Sequence, residues 1–498
     1  MKYVIGVDLG TSAVKTLLVD QNGIVCASAT EAYELLQPKS GYNEQNPEDW
    51  VKQTALSIRK LLSSSGVTAD QVEGISFSGQ MHGLVLLDAN LKPLRNAILW
   101  NDTRTTKQCR EIEAKLGDRL LDIARNRALE GFTLPKILWV KENEPELYEK
   151  AKLFLLPKDY VRLAMTGEVA MDISDAAGTL MLDVEKGQWS GDICGAFGIS
   201  MELCPPVVQS VDQTGTVTEA FAKEAGLSAS TKVFAGGADN ACGAFGSGII
   251  QDGAYMCSIG TSGVVLGFEQ NANTDYRGKV HFFNHSRPDT FYAMGVTLAA
   301  GYSLSWFAQT FAPDKSFDQL LGNVGNIPAG SNGLLFTPYL VGERTPHADS
   351  VIRGSFIGMD ATHTLDHFGR AVMEGITFSL NESVELFREG GKKVEQIVSI
   401  GGGAKNATWL QMQADVFGAE VLRLKSEQGP GMGAAMIAAV GCGWFSDFSE
   451  CADKFVEVDE VISPRQDQVK VYQELFAIYK QVYSQTKPLD DQLSKFKA

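Results

Sequence analysis

The sequence predicts an α/β protein built from two related halves, and three observations carry that prediction. Strand-like and helix-like segments alternate along the chain, the pattern of an α/β domain. A unit of strand, Gly-Thr-Ser and strand occurs at VIGVDLGTSAVKTLLVD and again at AYMCSIGTSGVVLGFE, with Thr11 and Thr261 about half the chain apart, as an internal duplication would place them. At 498 residues the chain is too long for one simple core, so two domains are the default.

In the first half, Lys2–Leu9 and Ala13–Asp20 read as strands rich in β-branched and aliphatic residues, joined by a short glycine-containing turn, and Val25–Glu34 continues the sheet. Pro47–Ser63 has helical spacing, with Pro47 near its start and Trp50, Ala55, Ile58, Leu61 and Leu62 as apolar positions. Val72–Ser78 and Leu84–Asp88 read as strands flanking Gly79-Gln80-Met81-His82-Gly83, and helices are expected over Thr106–Ala124 and Pro135–Asn143. After a strand-like Thr231–Gly237 the chain starts again with the second unit, Ala254–Glu269. Further helices are expected near Thr297–Thr310, His367–Arg388, Ala407–Phe417 and Ser463–Gln485. The domain boundary is expected within residues 240–255, dividing the chain into 1–245 and 246–498.

Composition narrows the classes. Hydrophobic content of 44% with 21% charged residues describes an ordinary globular protein, and a net charge of −16 argues against a broad nucleic-acid or anionic-membrane surface. The start MKYVIGVDLG lacks the features of a signal peptide, and no apolar run reaches spanning length before a Gly or a charge breaks it. Eight cysteines are scattered singly, without CxxC or a histidine at zinc spacing, as expected for reduced thiols in a cytoplasmic protein.

The loop Asp8-Leu9-Gly10-Thr11-Ser12 lacks the G-x-x-x-x-G-K-[ST] pattern and runs into a strand rather than a helix. A tight turn between two strands can instead point the N–H groups of Gly10, Thr11 and Ser12 into one concavity, with the hydroxyls as further donors. Asp8, at the strand's end, is placed to approach a magnesium ion through its waters. The alternative is a plain hairpin with a capping aspartate. The echo at Gly260-Thr261-Ser262 favours the first account, because two such loops facing across a cleft would clamp a polyphosphate.

In GGADNACGAFGSG, Asp239-Asn240 opens a helix, where Asp is a favoured N-cap; the other reading is a general base facing a substrate hydroxyl. The loop histidine of Gln80-Met81-His82 is expected to be exposed, a position where such residues most often only hydrogen bond. Trp100, beside Asn101, Asp102 and Arg104, offers an apolar face ringed by polar groups, a mixture suited to a sugar. Gly429-Pro430-Gly431-Met432-Gly433 superficially matches a dinucleotide loop, but close helix packing or backbone approach to a base accounts for it better.

These segments together resemble the FGGY carbohydrate kinases over nearly the whole chain. The two long family signatures are matched by GFTLPKILWVKEN (Gly131–Asn143) and GSFIGMDATHTLDHFGRAVMEG (Gly354–Gly375). The resemblance implies two ribonuclease-H-like, actin-like ATPase domains with the active site in the cleft between them. It also implies that Asp8, Gly10, Thr11 and Ser12 form the first phosphate loop, Gly260 and Thr261 the second, and that Gly402, Gly403 and Asn406 contact adenosine. Asp239 takes the place of the catalytic base, followed by Asn240 as a substrate contact. SGQMHGLVLLD and LWNDTR are similar to the pattern of members that phosphorylate D-xylulose, with Met81, His82 and Trp100 at the sugar, and Gly83 and Asn101 favour xylulose over gluconate. ATP and Mg2+, the metal at Asp8 through water, and a homodimer are implied in the same way. A kinase for gluconate or ribulose is the nearer alternative, and an actin-like ATPase that binds a protein partner the more distant one.

Overall fold

The computed structural model describes residues 1–496. The strands that build its two large sheets are, in chain order, β1 (Tyr3–Leu9), β2 (Ala13–Asp20), β3 (Val25–Ala32), β4 (Val72–Gly79), β5 (Gln213–Thr216), β6 (Lys232–Phe234), β7 (Gly237–Ala238), β8 (Ala254–Ile259), β9 (Gly263–Glu269), β10 (His281–Asn284), β11 (Phe291–Thr297), β12 (Gln396–Gly401), β13 (Glu420–Leu424) and β14 (Val458–Ile462). The first sheet runs β3-β2-β1-β4-β6-β5, with β7 also on β4; the second runs β10-β11-β9-β8-β12-β13-β14. Directions match strand for strand. In the first, β3, β2 and β1 are antiparallel, β1, β4 and β6 are parallel, and β5 is antiparallel to β6. In the second, β11, β9 and β8 are antiparallel, β8, β12 and β13 are parallel, and β14 is antiparallel to β13. Apart from the extra edge strand β10, this is one ribonuclease-H-like, actin-like sheet used twice, as the repeated Gly-Thr-Ser unit predicts.

The first helix shows how local chemistry sets the elements. In α1 (Pro47–Ser65) the Asn46 side chain caps the Glu48 N–H (3.2 Å), Pro47 takes the first turn, and Gly66 ends the helix in the left-handed conformation. Trp50, Ala55, Ile58, Leu61 and Leu62 are all buried. Two helix expectations need correction. The helix over Thr106–Ala124 is broken into Thr106–Leu116 and Asp118–Ala124, because Gly117 adopts φ 51°, ψ −128°, which a side chain would resist. The helix near Thr297 begins only at Gly301 (α3, Gly301–Phe311), since Thr297 is still paired with Gly263 in the sheet.

The halves are interlocked by helices. α2 (Asp239–Gly246) follows β7, and α6 (Pro430–Gly441), beyond α4 (Leu365–Glu389) and α5 (Ala407–Phe417), packs on α2 and across β1 and β4 of the first sheet. Glycines make this possible. A Cβ on Gly433 would lie 1.8 Å from the Cys242 carbonyl oxygen, and one on Gly6 would lie 2.0 Å from that of Gly431. The glycine-rich junction at 429–433 is thus a close helix contact. Val4, Leu17, Val19, Phe245, Met432 and Met436 fill the seam around it.

Gly433→Ala should therefore lower the melting temperature, at a cost of about 1–3 kcal/mol for overpacking. Gly195→Ala, where a Cβ meets nothing within 4 Å, should leave it unchanged or slightly higher. Equal melting curves for the two variants would show that the α6 contact is not close-packed.

A candidate active site at the junction of the two sheets

Loops that leave the carboxyl ends of parallel strands collect at one edge of each sheet, the usual ligand side of an open α/β sheet. In the first sheet these are the turn after β1, Gln80-Met81-His82 after β4, and Asp239 directly after β7, which pairs with Ser78 and Gly79. In the second they are 260–262 after β8 and 402–406 after β12.

The first loop is held by its carbonyls. The Tyr33 hydroxyl donates to Gly10 O, Gln45 Nε2 to Thr11 O (2.7 Å), and the Tyr33 N–H to Ser12 O (3.3 Å). Gln45 is braced by Trp50 Nε1 (3.0 Å) and Gln80 Nε2 (3.1 Å). The N–H groups of Thr11 and Ser12 donate to no acceptor among the described residues, which leaves them for an anion. Gly10 differs from expectation: its N–H closes the turn on Ala13 O (3.1 Å), so the concavity has two backbone donors rather than three. Trp100 Nε1 donates to Thr11 Oγ1 (2.9 Å), which turns the threonine's own proton outward.

The second loop is built alike. Gly260 N–H closes on Ser262 O (3.0 Å), and Gly260 O and Thr261 O accept the first N–H groups of α3, from Gly301 (2.8 Å) and Tyr302 (3.0 Å). Beside it, Gly402 is exposed, whereas Gly403 is buried with its Cα against Ile259. Asn406 caps α5, its Oδ1 accepting the Trp409 N–H (3.0 Å), so its amide nitrogen is the part left for a ligand.

Two carboxylates meet here. Asp8 lies opposite Lys15 on β2 and Ser78 on β4, and burial raises its proton affinity against the pull of both. Asp239 is the first residue of α2 rather than its cap; the cap position is Ala238, with no side-chain cap bond. The Asp239 carboxylate accepts the Asn240 N–H (2.7 Å) and Nδ2 (3.0 Å). Burial pushes its pKa up to about 7, and the neighbouring charge of Asp8 adds to the rise. A carboxylate with that affinity is matched to taking a proton near neutral pH.

His82 is partly buried, not an exposed loop residue, and sits at φ 68°, a conformation rare for a side chain of this size. Its carbonyl is gripped by Thr133 Oγ1 (3.0 Å) and by Lys136 Nζ (3.0 Å), which also reaches Gly131 O. Burial holds the imidazole pKa down at about 3, so the ring is neutral. Nδ1 lies 2.6 Å from Gly178 O, and since a carbonyl only accepts, the proton is on Nδ1 and Nε2 is a free acceptor for a hydroxyl. Met81 meets Asn240 Nδ2 (3.7 Å) and the Tyr292 hydroxyl (3.9 Å), while Phe132 (4.7 Å between ring centres) and Phe283 (6.1 Å) flank His82.

Trp100 is 46% exposed, and Asn101 Oδ1 is buried without a partner. Asp102 and Arg104, expected to border a sugar, are instead sealed in: they pair with each other (2.7 Å), and Arg104 pairs with Glu44 (2.8 Å). Gly83 packs on Pro157, where a Cβ would come within 2.7 Å. Sequence reasoning missed Gln45, Tyr33 and Lys136, which hold the loops from behind, and Phe283 and Tyr292, which arrive from the other sheet. Only Lys136, an apolar-face lysine inside GFTLPKILWVKEN, left a signal that could have been read.

The Asp239 shift has a sign that can be checked. Folding raises this carboxyl from 3.8 to about 7, so the folded state binds more protons in that window and the group costs stability as pH rises through it. In the ligand-free protein, Asp239→Asn should raise the melting temperature at pH 8 by a few degrees, and the gain should fade below pH 6. A gain that is the same at both values would assign it to something other than this charge.

Comparison with known proteins matches residues 3–246 to the N-terminal domain and 255–442 to the C-terminal domain of the FGGY family of carbohydrate kinases. A xylulose kinase of Bacillus subtilis (strain 168) is 61% identical over 497 residues, covering 100% of both chains. Among solved structures, ligand-bound xylulose kinase from Lactobacillus acidophilus superposes with a TM-score of 0.93 at 27% identity, covering 98% of this chain and 99% of that one. Gluconate kinase from the same organism gives 0.94 at 27% identity, with 100% of both covered. With a Gly-Thr-Ser turn on each of two duplicated sheets and both family domains matched, the chain belongs to the FGGY family of carbohydrate kinases.

Proposed function

We propose that this kinase transfers the γ-phosphoryl group of ATP to the primary 5-hydroxyl of D-xylulose, giving D-xylulose 5-phosphate and ADP, in D-xylose catabolism. The observation that carries the mechanism is Asp239, a carboxyl of near-neutral proton affinity that feels the charge of Asp8 and whose neighbour Asn240 meets Met81 (3.7 Å). The sugar lies against Met81, His82, Trp100, Asp239 and Asn240, with Nε2 of His82 accepting a hydroxyl proton in a hydrogen bond. The Thr11 and Ser12 N–H groups and the Gly260-Thr261 turn grip the phosphates, and Gly402, Gly403 and Asn406 border the adenosine. As the sugar oxygen bonds to the γ-phosphorus, the bond to the β-phosphate oxygen breaks and the hydroxyl proton passes to Asp239. Full-length identity of 61% to a xylulose kinase supports the choice of sugar.

Among the described residues no group of three or more His, Cys, Asp or Glu is placed to hold a metal. The Asp8 carboxylate, at the end of β1 beside the first Gly-Thr-Ser turn, fits a magnesium ion that would arrive on the nucleotide and that Asp8 would meet through water. Such an ion neutralises phosphate charge; Asp8 orients it. A cytoplasmic setting agrees with eight unpaired cysteines. The family resemblance supports a homodimer, which sedimentation would test.

The close superposition on a gluconate kinase favours gluconate as the second reading. ADP release measured with xylulose, ribulose and gluconate separates them: kcat/KM for xylulose should exceed the others, and a higher value for gluconate overturns the choice. Asp239→Asn should reduce kcat about 10²-fold or more, and wild-type turnover would remove Asp239 as the base. His82→Ala should raise KM for the sugar far more than for ATP; equal changes would place His82 outside the sugar site.

A further inference from the structure

Under the strand that leads to the Met81-His82 loop lies a fully buried charged cluster. Lys158 Nζ is fully buried and contacts three fully buried carboxylates: Asp159 (2.9 Å), Asp172 (2.6 Å) and Asp175 (3.0 Å). Arg162, equally buried, shares Asp159 (3.3 Å). Sealing so many charges is expensive unless geometry is returned for it. What this cluster holds is the short helix Ile173–Ala177, which begins on Asp172 and ends at Gly178.

Both ends of that helix reach the active site. At its start, the buried Ser174 hydroxyl donates to Asp172 Oδ2 (2.5 Å) and accepts the N–H of Ala238 (2.9 Å), the residue before Asp239. Ser210 adds a second hydroxyl on Asp172 Oδ2 (3.1 Å), and its carbonyl takes the Gly236 N–H (2.9 Å), two residues earlier on the same approach to Asp239. At its end, Gly178 O meets Nδ1 of His82 (2.6 Å) and sets its tautomer. Space is tight: a Cβ on Gly178 would fall 2.9 Å from Met81 Cε and 3.0 Å from His82 Nδ1. Lys158 itself packs under Gly79, the residue before Gln80-Met81-His82, where a Cβ would come within 2.7 Å.

We propose that Ser174 is a positioning residue for Asp239, and that the segment Asp172–Gly178, anchored on Lys158, sets the spacing between the proton acceptor and the sugar-binding histidine. This rests on the reading of Asp239 as the base. A reacting hydroxyl must sit within hydrogen-bond reach of its acceptor when the phosphorus is in line, and small displacements are costly in rate. With Ser174 gone, the Ala238 N–H loses its acceptor and the start of α2 is no longer fixed relative to His82.

The test is a cycle of Ser174→Ala, Asp239→Asn and the double variant, assayed for kcat and for KM of xylulose and of ATP, with thermal melting alongside. Ser174→Ala should lower kcat about 10-fold or more while KM for ATP stays within about twofold, the signature of an interaction needed in the transition state. The double variant should fall no more than about threefold below Asp239→Asn alone, because Ser174 acts through Asp239. Ser174→Thr, which keeps the oxygen, should restore turnover to within about threefold of wild type and separates the hydrogen bond from general destabilisation. Unchanged kcat in Ser174→Ala, or losses that multiply in the double variant, would overturn this inference alone. Wild-type turnover in Asp239→Asn would overturn the base assignment first and this inference with it.

Discussion

The seam between the two halves depends on backbone meeting backbone. α6 comes from the far end of the chain, yet it lies on β1 and against α2, the helix that begins with Asp239. That approach leaves no room for a side chain on Gly433 or Gly6. Because α6 touches the first sheet and α2 together, it fixes the helix carrying the acid relative to the strand carrying Asp8. The placing of the two carboxylates is in this sense a consequence of helix packing at the seam, where close-packed interiors transmit displacement instead of absorbing it.

Within that frame the site keeps two buried carboxylates close, with Lys15 opposite Asp8. Burial raises both, the charge of Asp8 adds to the rise at Asp239, and Asp239 reaches a proton affinity near neutrality. A site like this works against the stability of the free protein and in favour of a ligand that brings a cation to the carboxylates. His82 carries a similar tension, a positive φ for a residue with a side chain, held by Thr133, Lys136 and Gly178. Strain of this kind persists where surrounding contacts over-determine it, and here they come from two separate segments, the helix carrying Thr133 and Lys136 and the turn at Gly178.

The duplication shows how one turn design serves two loops with different supports. In the first half, side chains of Tyr33 and Gln45 take the turn's carbonyls; in the second, the opening N–H groups of α3 do. The outcome is the same, with N–H groups left facing the cleft, so selection for the turn does not require selection for its scaffold. This explains why Gly-Thr-Ser and its flanking strands are readable twice while the groups that brace the two turns differ.

The sequence by itself determined the elements whose signals are local: the paired strands around each Gly-Thr-Ser, the capped helix α1, the alternation that makes an α/β protein, and, through two long signatures, the family. These depend on residues within a turn or a strand of one another, where periodicity and capping act. Tertiary structure decided the rest. It turned Asp102 and Arg104 from sugar contacts into a sealed ion pair, took Gly10 N–H out of the phosphate concavity, moved Asp239 from cap to first helical residue, and brought Phe283 and Tyr292 to the sugar loop. Burial and proton affinity depend on how distant segments close over a residue, as Tyr292 does on Met81 and Glu44 on Arg104, and no local spacing encodes which of them will meet.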